Sequence, residues 1–300
     1  MSQIYLITGC SSGLGYEFAR QALHRGHKVI ALARDIAKLA PLQELGAATL
    51  TLDVTTSQEE LDRTATAALA IYGSVDILVN NAGYTLFGAV EDLRYGLIRG
   101  KKRCIVDRMS SYDECLREFR TNVFGPIALT RGLLPHFRRR RAGTIVNIGS
   151  LCAWETYPGV GVYSASKAAF RYFTEALAQE TAGTGIRTLL VEPGQFRTDL
   201  LSPRNSTFVE TNIPEYRDLT AASFANFRNA HGKQRGDPTK AVARVLDVIH
   251  GENEASGRDW PGELALGPDA VEAIRNKCER TLKRLNEWQV FSSETDAGCG

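Results

Sequence analysis

Three hundred residues, a net charge of +2 and 43% hydrophobic side chains suit one large α/β domain and exclude a general attraction to nucleic acid or a membrane surface. No apolar run is long enough to span a bilayer, and the opening MSQIYLITG lacks the regions of a signal peptide, so a cytoplasmic protein is expected. The six cysteines (Cys10, Cys104, Cys115, Cys152, Cys278, Cys299) show neither CxxC nor zinc spacing, which predicts reduced thiols and no metal site.

Short apolar runs alternate with helical patterns along the chain. Ile4–Thr8 reads as a strand, 13–25 as a helix with Leu14, Phe18, Ala22 and Leu23 on one face, and Lys28–Ala33 as a second strand. A helix over 35–45 and a strand over 47–53 follow. Ser57, with Glu60 three residues on, predicts a capping box opening a helix over 57–72. Strands are expected at 75–80, 144–148, 187–191 and 264–266, with a helix over 162–181. This alternation predicts one doubly wound Rossmann domain over 1–300. Its sheet would be parallel, with helices on both faces and the ligand at the carboxyl ends of the strands.

The first strand runs into Gly9, Cys10, Ser11, Ser12, Gly13, Leu14 and Gly15. Three glycines at a strand-to-helix junction let backbone approach a pyrophosphate, which the free N–H groups of the next helix would face. The second strand ends at Ala33 and Arg34, where a binder of NAD usually carries an acid. Arginine suits a 2′-phosphate and so favours NADP; a solvated loop arginine is the competing reading. Asp53, beside Val54, is placed to bond an adenine or simply to start a turn.

Tyr163 and Lys167 lie four apart on a helix, hence on one face. An ammonium near a phenol favours the phenolate, so Lys167 is expected to pull the Tyr163 pKa down from about 10. That would make Tyr163 an acid and base for a carbonyl/alcohol pair. Ser150 follows a strand at its carboxyl end and can hold the substrate oxygen.

These residues, with Thr8, Asn80, Asn81, Ala82, Gly83, Asn122, Pro193, Gly194 and Thr198, resemble the short-chain dehydrogenase/reductase family across nearly the whole chain. The resemblance implies Tyr163 as proton donor and acceptor, Lys167 on the nicotinamide ribose, Ser150 on the substrate, and Asn122 holding a water in a relay through Lys167. It implies that Asn80, Asn81, Ala82 and Gly83 support the sheet with their backbone beside the adenosine ribose, and that Pro193, Gly194, Phe196 and Thr198 flank the nicotinamide. A cation placed like Arg34 accompanies NADP in the family. Carbonyl/alcohol chemistry on a small molecule, and a homodimer or homotetramer, are expected. The rival readings are a non-catalytic regulator that senses NADPH and an NAD-dependent epimerase.

Two stretches depart from or extend the pattern. Segment 94–110 (RYGLIRGKKRCIVDRMS) interrupts a natural passage from Leu93 into Ser111 and reads as an insertion, either a gene-model artefact or a basic surface loop. Segment 195–236 should cover the substrate, with Phe196, Leu200, Leu201, Phe208, Tyr216, Phe224 and Phe227 as an apolar wall or as helix packing. The tail from Leu266 to Trp288 resembles hydroxysteroid- and retinol-dehydrogenase-like members, which favours a bulky apolar alcohol or ketone. A secondary-metabolite ketone is equally allowed. The arginine run 138–141 is expected to end a helix rather than bind nucleic acid.

Overall fold

The computed structural model describes residues 2–93, 111–203 and 205–297. Segment 94–110 lies outside them, as do Cys104 and Cys299. The chain begins β1 (Ile4–Thr8), α1 (Gly13–His24), β2 (Lys28–Ala33), α2 (Ala40–Glu44), β3 (Ala48–Thr51), α3 (Gln58–Tyr72), β4 (Ile77–Asn80) and β5 (Thr85–Gly88). It continues with α4 (Ser111–Phe119), α5 (Gly125–Arg140), β6 (Gly143–Ile148), α6 (Gly161–Glu180) and β7 (Ile186–Pro193). It closes with β8 (Ser206–Val209), α7 (Pro214–Ala230), α8 (Pro238–His250), β9 (Glu263–Leu266) and α9 (Pro268–Ser293).

Seven strands form a parallel sheet in the order β3-β2-β1-β4-β6-β7-β9. The order reverses between β1 and β4, so the crevice of a doubly wound Rossmann sheet opens at their carboxyl ends. Both faces are covered. Phe18, Val242, Val245 and Leu246 pack on one, and Leu61, Leu129, Leu133 and Phe137 on the other. β4 is accordingly buried along its whole length, as a central parallel strand must be. Each fully buried Leu or Phe contributes roughly 1.5–3 kcal/mol.

Local chemistry shifts some expected boundaries. The helix expected over 35–45 is a 3-10 turn (Ile36–Leu39) followed by α2. Pro41 has no N–H to continue an α-helical ladder from Ala37, so the two turns remain distinct. Ser57 caps α3 by accepting from Glu60 N at 3.3 Å, while the Glu60 carboxylate turns to Arg63 at 2.8 Å. The arginine run does end a helix. Arg140 pairs with Asp76 at 2.7 Å, and Arg141, at φ +51°, donates to Gly183 O at 3.0 Å. Among the described residues, no helix is long and apolar enough to cross a membrane.

Two features were not anticipated. β5 and β8 pair as a separate two-stranded parallel sheet, with Phe87 stacked on Phe208 at 4.3 Å. α9 leaves Leu282, Leu285 and Trp288 exposed.

At the amino end of the sheet, His27 and His250 stack at 4.6 Å, and His250 Nε2 lies 2.6 Å from the Tyr5 hydroxyl. Gln3 N donates to His27 Nδ1 at 3.2 Å, which requires that nitrogen to be unprotonated. Burial first, and their mutual repulsion at His250, hold both rings below the ordinary imidazole range. The unfolded chain therefore binds protons at these rings before the folded one does. Their stabilising effect is complete above the unfolded pKa of about 6.5 and is lost as pH falls toward the depressed folded values. Thermal melts are expected to show the unfolding temperature dropping below neutrality, with a shallower drop in His250→Gln. Identical slopes in the two proteins would remove this pair from the acid response.

Candidate active site

The turn after β1 is built by close backbone approach. Gly9 sits at φ +72°, and a Cβ there would meet Ala82 Cα at 2.9 Å. A Cβ at Gly15 would collide with Asn81 Nδ2 and the Gly9 carbonyl. Thr8 Oγ1 accepts from Asn81 N at 2.9 Å and Ala82 N at 3.0 Å, which locks the end of β1 to the end of β4. Ser12 occupies the N-cap of α1 without making a side-chain cap bond, and the first turn carries no acid. Free helix N–H groups with an uncommitted hydroxyl fit a phosphate.

Gly9, Ser11, Ser12, Gly13, Leu14, Arg34, Asp53, Val54, Ala82, Gly83, Pro193, Gly194, Phe196 and Thr198 line one cleft together with Ser150, Tyr163 and Lys167. Three expected residues stand outside it. Gly15 packs inside the turn. Asn80 turns into the core, where its amide donates to Asn147 Oδ1 at 2.8 Å and Thr130 Oγ1 at 3.0 Å. Its side chain therefore ties β4 to β6 and α5, as expected of a stretch that supports the sheet. Asn122 is 1% exposed, within a π-helical turn (Arg120–Phe124). Its amide clamps Tyr84, accepting from Tyr84 N at 3.0 Å and donating to Tyr84 O at 2.9 Å, and also donates to Ser166 Oγ at 3.0 Å. These bonds engage both ends of the amide and hold it between Tyr84 and Ser166. Asp53 lines the cleft, but its carboxylate accepts from Thr55 N and Oγ1 at 2.9 and 2.7 Å, the turn-forming role.

Tyr163, Lys167 and Ser150 are 6%, 5% and 7% exposed. Lys167 Nζ donates to Ile148 O at 2.9 Å and lies 5.8 Å from the Tyr163 ring centre. Ser150 Oγ accepts from Cys152 N at 3.1 Å, leaving its proton available. The expected fall in the Tyr163 pKa is not found. Burial raises it instead, with the Cys152 sulfur adding and the Ser150 hydroxyl opposing. Desolvation of the phenolate outweighs a lysine that is itself buried and weakened, to about 8.

The apolar part of the cleft comes from both predicted and unpredicted residues. Phe196, Leu200, Leu201 and Phe227 line it, whereas Phe208 and Phe224 pack behind Phe87, and Tyr216 lies outside. Phe87, Cys152, Tyr157 and Val160 complete the wall without having been anticipated. Asp269, in the first turn of α9, accepts from Gln195 N at 2.6 Å and so anchors the Pro193–Gly194 corner. Glu118 is a further unanticipated residue, fully buried beside Asn122. Its spacing of four from Asn122 was the available signal. Among the described residues no cluster of side chains fits a metal ion, and Cys10, Cys115, Cys152 and Cys278 are free thiols.

The short chain dehydrogenase family model matches residues 3–208. An oxidoreductase of Botryotinia fuckeliana is 31% identical over 97% of this chain and 98% of its own length. Retinol dehydrogenase 8 of Homo sapiens is 31% identical over 80% of this chain and 76% of its own. A short-chain dehydrogenase from Streptomyces avermitilis superposes with a TM-score of 0.84 at 36% identity, covering 98% of both chains. The chain belongs to the short-chain dehydrogenase family of oxidoreductases.

Proposed function

We propose that this protein is an NADP(H)-dependent oxidoreductase that interconverts a carbonyl and an alcohol on a bulky, apolar small molecule. The observation that carries the reading is the convergence of Ser150, Tyr163 and Lys167 in the same cleft as the glycine turn. When bound, NADPH supplies the hydride. Tyr163 gives its hydroxyl proton to the carbonyl oxygen, and Ser150 donates a hydrogen bond to that oxygen as negative charge develops there. Lys167 keeps donors beyond its bond to Ile148 O for the nicotinamide ribose, and its charge favours Tyr163 as a phenolate in the reverse direction. Arg34, exposed at the end of β2, supports selection of the 2′-phosphate.

Segment 195–236 is the substrate cover in this reading, and Phe87, Tyr157, Val160, Leu200, Leu201 and Phe227 favour an apolar body. The retinol dehydrogenase among the relatives supports the same class by its name. Assembly into a homodimer or homotetramer fits the exposed Leu282, Leu285 and Trp288 of α9, apolar groups of the kind subunit contacts bury.

The test is cofactor binding followed by turnover. Trp154 lies four residues beyond Ser150 and donates to Glu192 at 2.8 Å; the readout of binding is tryptophan fluorescence. NADPH is expected to quench it more strongly than NADH, and bulky ketones to be reduced at the expense of NADPH. Binding without reduction of any ketone, or oxidation of any alcohol, would reject catalysis in favour of a sensor.

A further inference from the structure

β5 brings to the cleft a hydroxyl that the chemistry above does not use. Successive side chains of a strand point to opposite faces, and on β5 Thr85 and Phe87 line the cleft while Leu86 and Gly88 do not. Thr85 therefore shares the cleft face with Phe87, which packs in one cluster with Tyr163 and Val160. Thr85 is 2% exposed, and its Oγ1 is buried with no hydrogen-bond partner among the described residues.

The strand that carries it is held on both sides. Asn122 clamps the backbone of Tyr84. Thr85 N donates to Asn205 O at 3.1 Å, Leu86 N to Glu118 Oε1 at 3.2 Å, and Gly88 N to Gly159 O at 2.8 Å. The side chain is thus presented from a fixed backbone whose bonds leave the hydroxyl unused. A buried hydroxyl without a partner costs stability, and valine would offer the same branched shape and the same preference for a strand. Packing alone gives no reason for the oxygen, so the partner it lacks is a group that enters the cleft.

Gln234 is the other cleft-lining residue with such an atom, its Oε1. It belongs to a stretch that runs beside Phe196 and Arg197, the nicotinamide side in the reading above. Thr85 stands instead with Phe87 and Val160, in the wall given to the substrate.

We propose that Thr85 is a specificity-determining residue that hydrogen-bonds a second oxygen of the substrate, so that the preferred ketone carries a hydroxyl close to its reacting carbonyl. The inference rests on the carbonyl/alcohol reading of the cleft and narrows its substrate class. The closeness follows from Phe87, whose cluster includes the proton donor Tyr163 and which lies two residues from Thr85 on the same face. A threonine hydroxyl both donates and accepts, so it can bond such a group in either sense.

The experiment compares benzoin with deoxybenzoin, two bulky ketones that differ only in a hydroxyl on the carbon next to the carbonyl. The quantity read is the ratio of their kcat/KM values with NADPH in wild type, Thr85→Val and Thr85→Ser. Intrinsic reactivity cancels when this ratio is compared between variants. The ratio is expected to fall about tenfold in Thr85→Val, the size of one neutral hydrogen bond, and to stay near wild type in Thr85→Ser. If neither ketone is turned over, their inhibition constants against an accepted ketone give the same ratio. An equal ratio in wild type and Thr85→Val overturns the proposal. The melting temperature of Thr85→Val, measured without ketone, is an independent readout. It is expected to hold or rise, because no internal bond is lost; a fall of several degrees would mean that the hydroxyl serves the fold, and overturns the proposal. The two readings fail separately. A wild type that reduces no ketone sinks the oxidoreductase reading and this inference with it, whereas ketone reduction with an unmoved ratio sinks only the role of Thr85.

Discussion

Tyr163→Phe is expected to reduce turnover by about 10²- to 10⁴-fold while leaving NADPH binding largely intact. The phenyl ring is preserved in the cluster with Phe87, Val160 and Phe224, so the packing that shapes the cleft survives. The substitution removes only the hydroxyl, and with it the group that can give a proton to the substrate oxygen. Rapid-mixing measurement of a single NADPH oxidation event isolates the chemical step, and fluorescence titration in parallel reports binding. Turnover near the wild-type level would transfer the proton to another donor and remove Tyr163 from that role. The raised pKa of Tyr163 fits an acid that holds its proton near neutral pH.

Arg34→Asp is expected to exchange the cofactor preference. Arg34 is exposed at the rim of the cleft, while the neighbouring Asp35 is occupied in accepting from Ala37 N at 3.2 Å. A charge-assisted hydrogen bond to a phosphate contributes about 1.5–3 kcal/mol, so its loss should weaken NADPH binding by about ten- to a hundredfold. An aspartate would add repulsion toward the 2′-phosphate and offer an acceptor to the ribose hydroxyls of NADH. Because the side chain is on the surface, the melting temperature should scarcely change. Dissociation constants for both cofactors decide the matter, and an unchanged ratio would reject the phosphate role of Arg34.

The sequence made the large parallel sheet legible because its strands are locally marked. Runs such as Lys28–Ala33 and Ile77–Asn80 are apolar enough to be buried on both faces, and each is bounded by a helix signal. The glycine turn and the Tyr163/Lys167 spacing are equally local. β5 and β8 escaped because four residues each give no usable period, and their partners are remote in the chain. The direction of the Tyr163 pKa escaped for another reason. Spacing places a lysine beside a phenol, but it says nothing of how deeply both are buried. Asn80 and Asn122 were recognisable as positions, yet the side they face is set by Asn147, Thr130 and Tyr84, which no motif joins to them.

The β5–β8 pair also bears on how the chain reaches its folded state. Thr85 meets Ser206 across a span that includes α4, α5, β6, α6 and β7. Contacts so far apart in sequence close late, because the entropy of bringing their ends together must be met first. The wall of the cleft carrying Phe87 and Phe208 is therefore expected to form after the central sheet. The same entropy grows only with the logarithm of loop length. A several-fold lengthening of one flexible connection costs on the order of 1 kcal/mol. On that scale, chains that differ in the length of one surface connection can assemble the same cleft.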